Sequence, residues 1–164
     1  MEGFVFRQVR NEADLEQARS IRKAVFVKEQ GIPEEMEYDE YDTYDDAESR
    51  VFHILAWAEG LEAATGKPVT SAPQAVATGR LIMKGQGAGT LSRIVVLKHY
   101  RRRELGKAVV KKLEDEARRR GLNYLSLQPH VHLEEFYGKL GYHTIPGEHS
   151  SVAGHPLITM EKSI

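Results

Sequence analysis

One stretch of the chain, from Thr90 to Gly121, restricts the fold more than any other. Residues 90–97 predict a strand, because they end in the β-branched run Ile94-Val95-Val96. After a short basic turn, apolar residues recur every four positions and predict an amphipathic helix that Gly121 closes: Leu105, Val109, Leu113 and Ala117. A strand that passes through a short turn into a helix is a unit of α/β folds. The stretch therefore predicts an α/β protein.

The rest of the chain predicts further elements of both kinds. Helices are expected at about 11–29 and at 133–140, and strands at 4–9, 51–58, 75–83, 124–127, 142–145 and 157–161. The acidic residues 34–48 and the polar residues 66–73 are predicted to be loops. This order predicts a single-domain α/β fold with a mixed central β-sheet flanked by helices. With 164 residues and no internal repeat, residues 1–164 are expected to form one domain.

The composition excludes several classes of protein. Hydrophobic residues make up 41% and charged residues 29% of the chain, which excludes a disordered chain. Because cysteine is absent, disulfide scaffolds, thiolate zinc sites and a cysteine nucleophile are excluded. The formal charge of −1 gives no overall attraction to nucleic acid or to a membrane. No apolar run approaches the ~20 residues that cross a bilayer, and Met1–Arg10 lacks the apolar region of a signal peptide. We therefore expect a soluble, cytoplasmic protein.

The turn before the second long helix has the composition of a phosphate-binding site. Arg101-Arg102-Arg103 stands directly before the helix, and Gly106 lies in its first turn. The first amides of a helix have no intrahelical partner, and the helix dipole adds positive charge there, so both favour a phosphate. Arginines add charge-assisted hydrogen bonds, and glycine lets the backbone approach a ligand closely. On spacing alone, an ordinary strand-to-helix turn explains the pattern equally well.

Several motifs, in the right order, resemble those of the GNAT (GCN5-related) N-acetyltransferases. Tyr100–Gly106 is similar to the family's loop before the cofactor helix, and Phe136–Tyr142 is similar to its downstream aromatic-Tyr-x-x-x-Gly-aromatic segment. Phe26–Gln30, Arg93–Val96 and His132–Tyr137 look more like the ElaA-like subgroup. The resemblance covers nearly the whole chain, and residues 60–73 look like an insertion.

The resemblance implies acetyl-CoA as acetyl donor, with a GNAT-like fold and no metal. The residues it places at the cofactor are the strand end, the loop, the helix start and one histidine: Ile94, Val95, Val96, Arg101, Arg102, Arg103, Glu104, Leu105, Gly106, Lys107 and His130. With Arg101 as the first residue of the motif, Glu104 occupies the place where the family usually has its first glycine. A second register, Arg103-x-x-Gly106-x-Ala108, also matches but lies two residues further from the strand.

The resemblance also implies an acyltransferase that moves the acetyl group directly to a primary amine of a small molecule. Tyr137 would protonate the leaving thiolate, because a phenol with a pKa near ~10 is protonated at neutral pH. The strand before it, 124–128, has no carboxylate to act as base. His155, Glu29 and His132 are the candidates, with water as an alternative.

The acceptor is less constrained by the sequence. Residues 34–48 hold nine acidic residues and no Lys or Arg, which favours a cationic amine such as a polyamine or a protein lysine. Arg22 and Arg93 match basic positions of the subgroup and favour an amine with a carboxylate or phosphate instead. Because a bidentate arginine contact is worth more than screened loop carboxylates, we expect a small anionic or zwitterionic amine.

Other readings stay open at this stage. A non-catalytic CoA-binding module and a binder of nucleotide phosphates would share the helix start. A zinc pair of His130 and His132 is not expected, because the sequence supplies no cysteine and no third ligand nearby. Relatives dimerise through their late strands, which makes a homodimer the expected assembly if the chain associates.

Overall fold

Seven strands form one mixed sheet in the computed structural model, which describes residues 3–44, 50–59, 73–102 and 104–164. The sheet order is β1-β2-β3-β4-β5-β7-β6, and β4 pairs with β5 in parallel while the other neighbours pair antiparallel. The strands are β1 Phe4–Gln8, β2 Val51–Ala58, β3 Gln74–Gly85, β4 Ala88–Val96, β5 Tyr124–Leu127, β6 His143–Val152 and β7 His155–Ser163. The predicted α/β fold with a mixed sheet is confirmed.

Four α-helices and three helical segments of other types accompany the sheet in the part of the chain that the structure describes. The helices are α1 Glu12–Arg22, α2 Glu34–Glu37, α3 Leu105–Arg119 and α4 Glu134–Lys139. A π-helix, Lys23–Glu29, continues α1, and 3₁₀ turns occupy Lys98–Tyr100 and Val131–Leu133. Asn11 caps α1, because its side-chain oxygen accepts a hydrogen bond from the amide of Asp14 at 2.8 Å. The helix predicted at 11–29 is present, with its second half wound as a π-helix.

The helices α1 and α3 cover opposite faces of the sheet. The apolar stripe of α3, predicted from its four-residue spacing, packs in one cluster with Ile54 and Ala56 of β2. The stripe of α1 packs in a second cluster with Leu55, the residue between them. Since successive side chains of a strand point to opposite faces, β2 contributes to both cores.

A bulge in β4 lies beside α3. Thr78 pairs with Val95 and Arg80 with Ser92, so Arg93 and Ile94 together stand opposite Gly79, and Arg93 has φ +54°. A Cβ on Gly79 would lie 2.6 Å from a side-chain carbon of Val109, so only glycine lets α3 approach the sheet here.

Two predictions about the polar segments were wrong. The acidic stretch predicted as loop contains α2 and is ion-paired rather than solvated, while residues 45–49 lie outside the described residues. The late strands are longer than predicted, because β6 has the polar sequence of an exposed edge strand and is held by pairing with β7. The loop and insertion predicted within 60–72 also lie outside the described residues.

Among the described helices, none has the length and apolar character needed to cross a membrane.

Candidate active site

A cleft of about 590 Å³ opens where β4 and β5 separate. The two strands pair in parallel from Ala88 and Tyr124 to Leu91 and Leu127, and β4 then continues to Val96 without β5. Further wall residues come from residues 25–37, which include the end of the π-helix and α2, from residues 127–133 and α4, and from Val152 and Leu157 of the last two strands. Gly106, in the first turn of α3, lies at the end of the cleft beyond β4. The topology of the sheet therefore produces the cleft.

The backbone of β4 presents polar groups to this cleft. The amide of Leu97 donates to the carbonyl of Val76 at 2.9 Å, so Leu97 faces β3. Backbone groups alternate along a regular strand, and those of Val96 consequently point away from β3 and toward the gap. Arg101 donates from Nε to the carbonyl oxygen of Val96 at 3.0 Å, which agrees with this direction. The predicted residues Ile94, Val95 and Val96 all line the cleft.

The loop between β4 and α3 bends sharply before the helix begins. Arg102 and Glu104 have φ values of +66° and +59°, in the left-handed region that glycine adopts more easily. Glu104 is exposed, and its carbonyl accepts the amide of Ala108 at 3.0 Å, so α3 starts with the free amides of its first turn. The positive φ of Glu104 agrees with the register that places a family glycine there. Arg103 lies outside the described residues.

The space around Gly106 would accommodate a Cβ atom. A Cβ at this position would lie 3.5 Å from the nearest atom, a ring carbon of Phe136, which is an ordinary contact. Packing within the chain therefore does not demand glycine at 106. The missing side chain keeps the start of α3 open toward the cleft. The neighbouring Leu105 is 1% exposed, so it can offer a ligand little beyond its backbone.

Tyr137 of α4 lines the cleft and is 5% exposed. Its ring packs edge-on against those of Phe136 and Tyr142, with centroids 4.9 and 5.9 Å away. Burial raises the pKa of Tyr137, because the phenolate would lose solvation. The phenol is therefore protonated at neutral pH.

Three histidines lie close together although the sequence separates them. His130 lines the cleft with His132, and its ring centroid is 5.7 Å from that of His132 and 5.1 Å from that of His155. Burial, followed by the charges of His155 and His132, lowers the pKa of His130 and favours its neutral form. His155 is not among the described residues that line the cleft, and its Nε2 hydrogen-bonds the carbonyl oxygen of Gln30 at 2.8 Å. His155 thus lies near the pair as a third histidine. No group of described residues is nevertheless arranged to hold a metal ion.

Glu29, a candidate base, is engaged in an ion pair. Its carboxylate pairs with Arg101 at 2.8 Å, and the two side chains are 35% and 40% exposed. Glu29 is not among the described residues that line the cleft. This placement supports a role in orienting Arg101 rather than in accepting a proton from an amine.

The expected acceptor role of Arg22 needs correction. Its side chain is 1% exposed, and it donates from Nε to Glu37 at 2.6 Å while a second nitrogen pairs with Asp42. Burial opposes the charge of Asp42, but the hydrogen bond and the charge of Arg22 outweigh it and lower the pKa of this carboxyl. With its guanidinium enclosed by these partners, Arg22 holds the acidic segment in place and has no face for a substrate.

Arg93 lines the cleft but is also engaged by the acidic segment. Its Nε lies 3.1 Å from a carboxylate oxygen of Glu37, and its terminal nitrogen lies 3.4 Å from Asp39. Asp39 in turn receives two hydrogen bonds from Arg80, at 2.8 and 2.9 Å. The acidic residues and the arginines, which favoured opposite acceptors in the sequence, therefore neutralise each other.

Sequence reasoning missed several residues of the cleft wall, among them the polar residues Gln30 and Glu37. Gln30 belongs to the ElaA-like segment Phe26–Gln30, but a single glutamine has no chemical signature in a sequence. Its Oε1 is buried and has no hydrogen-bond partner among the described residues. Glu37 was one of nine acidic residues, and nothing in the pattern distinguished it.

Comparisons with known proteins agree with this geometry. The sequence profile of the Acetyltransferase (GNAT) domain matches residues 41–164. The protein YyaT of Bacillus subtilis is 35% identical over 158 residues, covering 96% of this chain and 95% of YyaT. Among solved structures, Escherichia coli ElaA superposes with a TM-score of 0.75 at 22% identity, covering 97% of this chain and 99% of ElaA. An acyl-CoA N-acyltransferase from Pseudomonas aeruginosa gives a TM-score of 0.76 at 23% identity, with the same coverage of both chains.

The fold and the cleft are those of an acyltransferase. The chain belongs to the GNAT acetyltransferase family. The predicted family and enzyme class are confirmed, and the likeness to ElaA holds at the level of the fold.

Proposed function

We propose that the protein transfers an acetyl group from acetyl-CoA to a primary amine of a small molecule. The observation that carries this proposal is the continuity of the cleft. A polar strand edge at Val96 leads to the open first turn of α3 at Gly106, and Tyr137 lines the same space.

The residues of the cleft fit the chemistry of CoA. The exposed edge of β4 can pair with the amides of a pantetheine arm, as an added strand pairs with a sheet edge. The first amides of α3 and the basic residues Arg101 and Arg102 suit a pyrophosphate. Glu29 neutralises part of the charge of Arg101, so the backbone amides of residues 104–107 carry more of this binding.

Tyr137 is proposed to hold the proton that the leaving sulfur takes up. Acetyl-CoA, when bound, supplies the activated thioester. Burial raises the pKa of the phenol, so Tyr137 carries its proton at neutral pH, and desolvation would also raise the pKa of a thiol released in the cleft. Tyr137 can therefore act as general acid from its Oη.

A neutral histidine is proposed to take the proton from the amine. An alkylammonium has a pKa near ~10 and must lose a proton before it can attack. His130 has a lowered pKa and lines the cleft beside His132, which makes it a better placed candidate than Glu29. His155 lies within ring contact of His130 and orients it.

The predicted assembly and location stay predictions. β6 is the edge strand of the sheet, and most of its side chains are exposed, which is compatible with a homodimer through the late strands.

A thiol-release assay tests the proposed reaction. The protein is incubated with acetyl-CoA and a panel of small primary amines, and free CoA and acetylated amine are both quantified. The proposal expects equal amounts of the two products with at least one amine. CoA release without any acetylated amine, or no release at all, would contradict it.

A further inference from the structure

The geometry points to Gln30 as the residue that receives the nitrogen of the acceptor, and to an acceptor with an uncharged, apolar body. This inference rests on the proposed acetyl transfer and adds the class of amine. It replaces the anionic or zwitterionic acceptor expected from the sequence.

The backbone of Gln30 is fixed from two sides. Its amide donates to the carbonyl of Val25 at 3.0 Å, at the end of the π-helix. Its carbonyl accepts a hydrogen bond from Nε2 of His155 at 2.8 Å, which ties it to β7. The backbone of Gln30 is therefore fixed at the wall of the cleft.

The side-chain oxygen of Gln30 lacks a partner. Oε1 is buried and has no hydrogen bond within the described part of the chain. A buried carbonyl without a donor costs free energy. Because Oε1 is closed to solvent, the side chain must turn before a ligand N–H in the cleft can reach it, and that contact removes the cost. An amine is such a donor, whether it arrives neutral or as an ammonium.

The wall around Gln30 is apolar. Val25 and Phe26 of the π-helix line it, followed by Ile32 and Met36, and Leu157 of β7 lines the cleft as well. Met36 is 49% exposed, so its side chain is accessible to a ligand in the cleft. This wall suits an aryl or alkyl body.

The charges in this part of the cleft cancel. Glu37 and Arg93 line it, and they form an ion pair with each other at 3.1 Å. Glu37, the carboxylate that would attract a polyamine, is already paired. Arg93, the guanidinium that would bind the carboxylate of an amino acid, is already paired as well. Neither charged class gains what an apolar amine gains from the wall.

Steady-state kinetics with three probe amines test the inference. 2-Phenylethylamine represents the apolar class, spermidine the polycations and 4-aminobutyrate the anionic amines. The expected result is the highest kcat/KM for 2-phenylethylamine. A higher kcat/KM for either charged amine would overturn the acceptor class, as would acetyl-CoA binding with no acetylation of 2-phenylethylamine.

The variant Gln30→Met tests the role of the residue, because methionine has a similar length and no strong hydrogen-bonding group. We expect the KM for 2-phenylethylamine to rise about tenfold, with the affinity for acetyl-CoA unchanged and the melting temperature not lowered. Gln17→Met, an exposed position on α1, is the matched control and should change none of these.

Two outcomes of this experiment would overturn the role of Gln30. One is an unchanged KM in Gln30→Met, and the other is a parallel loss of acetyl-CoA affinity, which would place the contact on the donor. The proposed function itself would be contradicted if the wild-type protein did not bind acetyl-CoA in a measurement without any amine.

Discussion

Arg22 donates from Nε to a carboxylate oxygen of Glu37 over 2.6 Å, and their side chains are only 1% and 4% exposed. The same arginine pairs with Asp42, which is 3% exposed. These contacts fasten the acidic segment to α1 and so hold α2 at the edge of the cleft. A segment that looks solvated in the sequence is therefore part of the folded structure that shapes the site.

The first prediction concerns the stability that Arg22 provides. Arg22→Ala removes the partner that the buried Glu37 and Asp42 share and leaves them only longer contacts with Arg93 and Arg80. We therefore expect the free energy of unfolding to fall by about 3 kcal/mol. Arg19→Ala, three residues earlier on α1, removes pairs with the exposed Glu12 and Glu16 and should cost no more than about 1 kcal/mol. Urea denaturation followed by circular dichroism measures both.

Equal losses in these two variants would contradict the account of the buried pairs. If Arg22→Ala does not fold, Arg22→Lys keeps the charge and loses the forked geometry, and it should still be less stable than Arg19→Ala.

The second prediction concerns His53, which is 3% exposed and donates from Nε2 to the carbonyl of Tyr41 at 2.9 Å. Burial, helped by the charge of Arg80, lowers the pKa of His53 to about 4. In the unfolded chain a histidine takes up its proton near pH ~6.5. Unfolding therefore takes up a proton between these values, and stability falls as the pH drops from about 6.5 to about 4.

The expected loss is up to about 1.4 kcal/mol per pH unit, or about 3 kcal/mol across the window. The lowered pKa values of Asp39 and Asp42 affect the free energy of unfolding only below about pH 4. The lowered pKa of His130 also makes the protein less stable as the pH falls. His53→Gln keeps a donor but cannot titrate, so its stability should depend less on pH. Denaturation at pH 7, 6, 5 and 4 measures this, with the exposed His99→Gln as control. A slope unchanged by His53→Gln would refute the assignment.

The third prediction separates two tyrosines whose rings are in contact. Tyr137→Phe should lower kcat about 10²-fold, since it removes the proposed general acid, while acetyl-CoA affinity and stability stay close to wild type. Tyr142→Phe removes the hydrogen bond from the Tyr142 hydroxyl to the buried Glu114 at 2.8 Å. It should lower stability by about 1–3 kcal/mol and leave kcat nearly unchanged. Unchanged turnover in Tyr137→Phe would mean that water or another group protonates the sulfur.

The fourth prediction concerns the loop before α3, where two substitutions should change CoA affinity in opposite directions. Glu104→Gly suits the positive φ and removes a negative charge beside the proposed phosphate site, so acetyl-CoA should bind more tightly. Gly106→Ala should bind it more weakly while stability is kept or raised by up to about 1 kcal/mol, because alanine favours a helix. Calorimetry and thermal denaturation of the two variants test this. Tighter binding by Gly106→Ala would remove the argument for a close approach of the ligand.

The sequence predicted the parts of the fold that depend on local pattern. The stripe of α3 follows from a spacing of four residues, and β2 is a long apolar run, so both were placed within a residue or two. β6 was underestimated because its residues are polar and exposed, and its extended form depends on pairing with β7. Local preference carries no information about such a partner.

One part of the candidate site could be predicted from sequence motifs, and another part depends on tertiary contacts. The strand end, Gly106 and Tyr137 form motifs with a chemical reason, and the structure brings them to one cleft. The pairing of Arg22 with Glu37 and Asp42 joins residues 15 and 20 positions apart with no regular spacing. The approach of His155 to His130 depends on the sheet order. These contacts arise from tertiary structure, which the sequence pattern alone does not reveal.

Titration calorimetry of acetyl-CoA and of ATP into the wild-type protein tests the central claim most directly. Both ligands carry phosphates for the start of α3, but only acetyl-CoA has an arm for the edge of β4. The account predicts saturable binding of one acetyl-CoA per chain, at least about tenfold tighter than that of ATP. Absence of acetyl-CoA binding at about 1 mM ligand, the range of a Kd worth only about 4 kcal/mol, would contradict it. Equal affinity for the two ligands would contradict it as well.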